Sequence, residues 1–196
     1  MEAPSSVHPV LALAVLMGSG TLAVLAADAR LALAALAGQY IGTGLLLASG
    51  GAQQLAWLHV VVGGLACVVL YLGLRGQPKA NPKAEPLVPL PFRIAALMLM
   101  VLAAGVLHAQ WSLPHADSLT ALACFGLAGL FVAQVGLHRA PIRAGMGAMT
   151  LLTAVSLYLY AAGGGLFLTA WALAAHLMMG LAAGHLQSTW NAAEEA

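Results

Sequence analysis

The sequence predicts an all-α, polytopic integral membrane protein of seven transmembrane helices, built as two parallel three-helix repeats plus a linking helix. Three observations predict it. Hydrophobic residues make up 62% of the 196 and charged residues only 7%. A soluble domain needs about a quarter of its residues charged to cover its surface, so the solvent of this chain is lipid. The apolar residues also fall into seven runs close to the ~20 residues that cross a bilayer. Finally, a seven-span threading puts every Lys and Arg on one side.

The first run, 9–27, follows "MEAPSSVH", which holds Glu2 and precedes any Lys or Arg; the first is Arg30. A secretory signal begins with positive charge, so the run is read as a retained helix. "ADAR" separates it from the second span, 31–49, and "GGAQQ" separates that from the third, 54–74. The long connection "RGQPKANPKAEPLVPLPFR" is solvated and irregular by its prolines and lysines, and it is a candidate surface for docking. The fourth span, 92–109, is followed by "AQWSLPHADS". The fifth, 118–137, ends at "HRAPIR"; the sixth, 142–161, at "AAGGG"; the seventh is 165–186.

With seven spans, Arg30, Arg75, Lys79, Lys83, Arg93, Arg139 and Arg143 share one side, and the other side has no Lys or Arg. The positive-inside rule makes that side cytoplasmic, the N-terminus external and the C-terminus cytoplasmic. A net charge of +1 leaves no basic patch for nucleic acid. Cys67 and Cys124 lie in apolar runs without a metal-binding spacing and read as small buried hydrophobes.

The first and last three spans look alike. Each triplet has Arg in its first loop, a glycine-marked outer hairpin, and a third helix with Trp and His near its outer end: Trp57 and His59, then Trp171 and His176. This divides the chain into a first repeat (1–75), a proline-rich loop with the linking helix (76–117), and a second repeat with a short tail (118–196). Two parallel triplets imply a pseudo-axis along the membrane normal.

No Asp, Glu, Lys or Arg lies deep in a span. Ion and proton carriers usually hold one there. The polar residues within the spans are Gln39, Tyr40, Thr43, Gln134, Thr150, Thr153, Ser156 and Thr169, with His59, His108, His176 and His185. Three roles are open to the histidines: haem ligands, a proton relay near neutral pH, or interhelical bonding. His176 and His185 stand nine residues apart, about 13.5 Å on a helix, too far to grip one iron. His108 and His185 are near helix ends and read as structural. "GQYIG" at 38–42 is a small-residue surface for close helix contact.

The pattern Arg139, Arg143, Gly147 opens the sixth span as R-x-x-x-R-x-x-x-G, and Thr153-Ala154 stands where an Asn-Ala pair would be. This unit resembles the small K-type subunit of respiratory complex I and its cation-antiporter relative. The duplicated form, with an extra helix, a proline-rich cytoplasmic loop, and Arg30 and Gln39 at the same spacing, resembles hydrogenase-4 component E. The resemblance covers nearly the whole chain by topology and few residues by identity. It implies a non-catalytic membrane-arm subunit of a complex-I-like, group 4 hydrogenase-like or cation-antiporter-like complex. Such a complex translocates protons or ions across a prokaryotic plasma membrane; the subunit packs against antiporter-type subunits and lipid, and has no cofactor or metal of its own.

The family's membrane glutamates are missing: Met149 and Leu152 stand at second-helix positions, and His176 falls near the third-helix acid. The proton-path candidates are therefore His176, His59, Gln39 and Thr153, and Arg30, Arg139 and Arg143 are candidates for cytoplasmic docking. The alternative is a haem b- or quinone-linked anchor of a redox enzyme using His59, His108 and His176. Related modules serve inorganic-carbon uptake. An autonomous transporter fits less well, because buried charge and broken helices are lacking.

Overall fold

A computed structural model describes residues 8–75 and 88–195. Among the described residues are seven helices: α1 (Pro9–Leu25), α2 (Ala29–Ser49), α3 (Gln53–Leu74), α4 (Leu90–Gln110), α5 (Ser118–Leu137), α6 (Pro141–Ala161) and α7 (Gly165–Glu195). Among the described residues there is no strand. Helices α2 to α6 and residues 167–190 of α7 are long and apolar enough to cross a membrane; α1, at 17 residues, is apolar but shorter. The chain is thus a helical protein of the multi-pass membrane type. Lys79, Lys83 and most of the proline-rich loop lie outside the described residues.

Local chemistry sets the helix ends. Proline occupies the first turn of α1, α4 and α6, where its missing N–H costs nothing. Asp28 caps α2 by accepting from the Arg30 N–H at 2.8 Å, and Asp117 caps α5 by accepting from the Thr120 N–H. The first span ends at Leu25, two residues earlier than expected, just ahead of the Asp28 cap. At the other extreme, α7 runs nine residues beyond 186, because "QSTWNAAEE" has good helix formers and no breaker. Between α6 and α7 the chain reverses through Gly163 and Gly165, at φ +71° and +68°, a region open to glycine.

Six helices close a ring in the order α1, α2, α3, α7, α6, α5, with α2 touching α6 across it. α4 stands outside, against α5 and the edge of α1. Only Arg93, Leu97 and Ala104 of α4 are buried. Each helix of the first triplet therefore lies against its counterpart in the second: α1 on α5, α2 on α6, α3 on α7. A two-fold axis between the rows would instead set α1 on α7 and α3 on α5. The two rows run side by side in the same order, which corrects the pseudo-axis expected from the repeat.

The "GQYIG" surface makes the α1–α2 contact. Gly38 faces Ser19, and an added Cβ on Gly42 would stand 2.7 Å from the Leu16 backbone. The ring's outer faces are apolar, and exposed aromatic residues mark its two ends. Trp57, Trp111, Phe167 and Trp171 lie at the end of the α2–α3 and α6–α7 hairpins; Tyr71, Phe92 and Trp190 lie at the opposite end, with the arginines. Such belts sit at headgroup level.

Candidate functional site in the helix bundle

The polar residues of α2, α3, α6 and α7 converge halfway along the bundle. Tyr40 from α2, His59 from α3 and His176 from α7 form a triangle of rings, with centroids 5.3, 5.6 and 5.7 Å apart. All three side chains are 2% exposed or less. The triangle closes because Gly63, one turn along α3 from His59, has no side chain: a Cβ there would fall inside the Tyr40 ring.

Thr153 of α6 completes the site. His176 Nδ1 lies 2.8 Å from the Ala172 carbonyl oxygen, and its Nε2 lies 3.3 Å from Thr153 Oγ1. The Thr153 hydroxyl is also 2.9 Å from the Met149 carbonyl oxygen. A carbonyl only accepts, so Nδ1 carries a proton. In the neutral ring, Nε2 accepts from the Thr153 hydroxyl. In the doubly protonated ring, Nε2–H donates to Thr153 and the hydroxyl turns to Met149. Both protonation states are therefore satisfied by one hydroxyl rotation. His59 differs: both of its ring nitrogens are buried without a partner, as is the Tyr40 hydroxyl. Such groups carry a desolvation cost until a partner or a water is found.

A second polar contact lies one turn towards the arginine end. The Thr150 hydroxyl donates to Gln39 Oε1 at 3.2 Å, while Gln39 Nε2 is unpaired. The structure thus gathers His176, His59 and Thr153 and puts Gln39 beside them on Thr150. It adds Tyr40, which the sequence marked only as polar.

The arginine end is built differently. Arg143, expected at a docking loop, is instead buried. Its Nη1 donates to the Ala23 carbonyl at 3.0 Å, and its Nη2 to Ala26 and Ala27 at 2.8 and 3.0 Å. Arg93 of α4 donates to the Leu25 carbonyl at 2.7 Å. Two guanidiniums thereby close the open carbonyl end of α1, where the helix dipole favours cations. Arg139 is exposed and Arg30 half-buried. His138, just past α5, is buried beside this pair. Burial first, then the Arg143 charge, lower it from 6.5 to about 4, against a raising hydrogen bond to the Gln134 carbonyl. The clamp left no sequence signal beyond charge at a helix start.

His108 contacts Ser118 Oγ at 3.1 Å on a helix that packs against α5 and α1, not α3 or α7; His185 is exposed. Of the three histidines of the haem alternative, His59 and His176 meet, with Tyr40 against both rings, and His108 stands apart on α4. Among the described residues no three His, Cys, Asp or Glu side chains form a metal-binding group. Cys67 and Cys124 are buried free thiols.

No protein-family model, no curated protein and no solved structure matches this chain.

Proposed function

We propose that this chain is a non-catalytic membrane-arm subunit of a proton- or ion-translocating complex, of the complex-I-like, group 4 hydrogenase-like or cation-antiporter-like kind. In this reading the Tyr40–His59–His176–Thr153 cluster is a titratable station within the bilayer, taking the place of the family's missing carboxylates. The observation that carries it is the two-sided bonding of His176: one hydroxyl rotation serves both the neutral and the charged ring. A purely structural histidine needs one satisfied state; this one has two. His59, in ring contact, offers two unpaired nitrogens as the next stop.

The reading includes seven spans, with the arginine end cytoplasmic, in a prokaryotic plasma membrane. The two triplets derive from one duplicated unit. Large antiporter-type subunits are the partners, and the outward apolar face of α4 is available to them. The electron-transfer chemistry belongs to other chains.

The test combines purification and flux. Tagged chain isolated in mild detergent is expected to bring antiporter-like subunits with it. In vesicles holding that complex, His176→Gln is expected to leave assembly intact and to remove most pH-dependent ion flux. Unchanged flux with intact assembly refutes the station.

A further inference from the structure

We infer that the cleft between α1 and α4 binds one anionic phospholipid, with an acyl chain along the cleft and the phosphate at the arginine end. The walls of the cleft, its depth in the bundle and the charge at its end carry this.

The cleft exists because α4 stands outside the ring, packed on α5 and meeting α1 only at its edge. Between α1 and α4 is a cavity of about 420 Å³, lined by Thr21 and Leu25 of α1 and by Ile94, Leu97, Val101 and Leu102 of α4, among others. Its size is that of a small-ligand site. Apart from Thr21, the described lining is apolar. Ile94, Leu97 and Val101 recur at spacings of three and four, which share one helix face. Leu99 and Val106 lie about half a turn round α4 from Leu97 and are 61% and 54% exposed. The cleft is therefore separate from the outward face of α4.

α4 starts at the arginine end. Residues 94–102 cover about 12 Å at 1.5 Å per residue, against a hydrocarbon core of about 30 Å. The cleft thus belongs to one leaflet. A partner helix crossing the bilayer would run along the whole of α4, whereas a chain from the arginine-end leaflet runs only this far.

The charge at its end selects the headgroup. The carbonyl of Leu25 is held by Arg93 Nη1 at 2.7 Å, while Arg93 Nε is buried without a partner. Arg30, Arg139 and Arg143 stand in the α1–α2 and α5–α6 loops and the helix starts that follow them, with Asp28 the only acid there. This corner is net positive at the level of the lipid phosphates. Basic pockets between helices at a membrane surface recruit anionic headgroups, and guanidinium matches phosphate with a fork of N–H donors.

Native mass spectrometry of the full-length chain in mild detergent tests the site. The probes are equal amounts of phosphatidylglycerol and phosphatidylcholine with the same palmitoyl and oleoyl chains. One phosphatidylglycerol is expected to be retained over phosphatidylcholine by about 5-fold or more, the effect of even a single basic side chain at a membrane surface. Val101→Trp fills the cleft and is expected to abolish that retention. Leu99→Trp, at a comparably exposed position outside the cleft, is expected to leave it unchanged. Both positions are more than half exposed, so neither tryptophan disturbs the core. In native membranes, Val101→benzoylphenylalanine is expected to yield a phospholipid adduct on irradiation. Equal retention of the two lipids overturns the anionic headgroup, and retention insensitive to Val101→Trp overturns the cleft. A protein adduct at position 101 overturns the choice of occupant and makes the cleft a subunit interface.

Discussion

Gly63 and Gly64 are neighbours at one depth of α3, and their surroundings differ completely. A methyl on Gly63 would enter the Tyr40 ring, whereas a methyl on Gly64 would meet nothing within 4 Å. Tyr40 is 2% exposed and touches both histidine rings, so it has nowhere to retreat without breaking the triangle. Overpacking a filled site costs about 1–3 kcal/mol, and each ring pair lost adds about 0.5–1.5 kcal/mol. Gly63→Ala is therefore expected to destabilise by about 3 kcal/mol. Gly64→Ala meets no such obstacle, and the better helix propensity of alanine raises stability by up to about 1 kcal/mol. Unfolding of the purified chain in mixed micelles with rising dodecyl sulfate, followed by circular dichroism, measures both. Equal stabilities for the two variants, or a more stable Gly63→Ala, would refute the packing of α2 on α3 and with it the geometry of the cluster.

Three further outcomes follow from contacts described above. Gly42→Ala is expected to push α1 off α2 and cost about 1–3 kcal/mol in the same assay, because its Cβ would meet Leu16 backbone, which no rotamer change moves. Arg143→Gln removes charged hydrogen bonds to three carbonyls, worth about 1.5–3 kcal/mol for a bond of this kind; Arg139→Gln, at an exposed site, is expected to change stability by less than about 0.5 kcal/mol. His138 is held neutral in the fold, with its value lowered from 6.5 to about 4. The unfolded chain then binds the extra proton first, so stability is full above pH 6.5 and falls as pH drops from there to about 4. His138→Gln is expected to flatten that part of the profile, and an unchanged acid limb refutes the assignment.

Most span boundaries were legible because they depend on local events: Asp28, Asp117, the prolines of the first turns, and the glycines of the last hairpin; the end of α7 was not, because its helix continues through residues that carry no apolar signal. The polar residues of the site were legible as a list. Their convergence was not. In a membrane, the face turned to lipid is as apolar as the face turned to other helices, so periodicity does not say which way a residue points. Trp57 and His59 illustrate it: two positions apart in one apolar run, one is 65% exposed and the other 1%. Tyr40 looked like one more residue of a glycine motif, because its role depends on Gly63, 23 positions away on another helix. Arg143 was read as a surface charge for the complementary reason. The carbonyls it serves carry no side-chain signature, and a charge at a helix start is ordinarily solvated.

The arginine clamp on α1 also sets a clock for synthesis. The last carbonyls of α1 emerge from the ribosome early, but the guanidinium that closes them follows 117 residues after Ala26. At about 5–20 residues per second, the end of α1 waits roughly 6–23 s for Arg143. Arg93 reaches the Leu25 carbonyl sooner, 68 residues after it, but the Ala23, Ala26 and Ala27 carbonyls depend through that interval on borrowed partners such as the water at the membrane surface. The first helix is thus inserted early and finished late, and a chain truncated before residue 143 leaves those three carbonyls without their guanidinium.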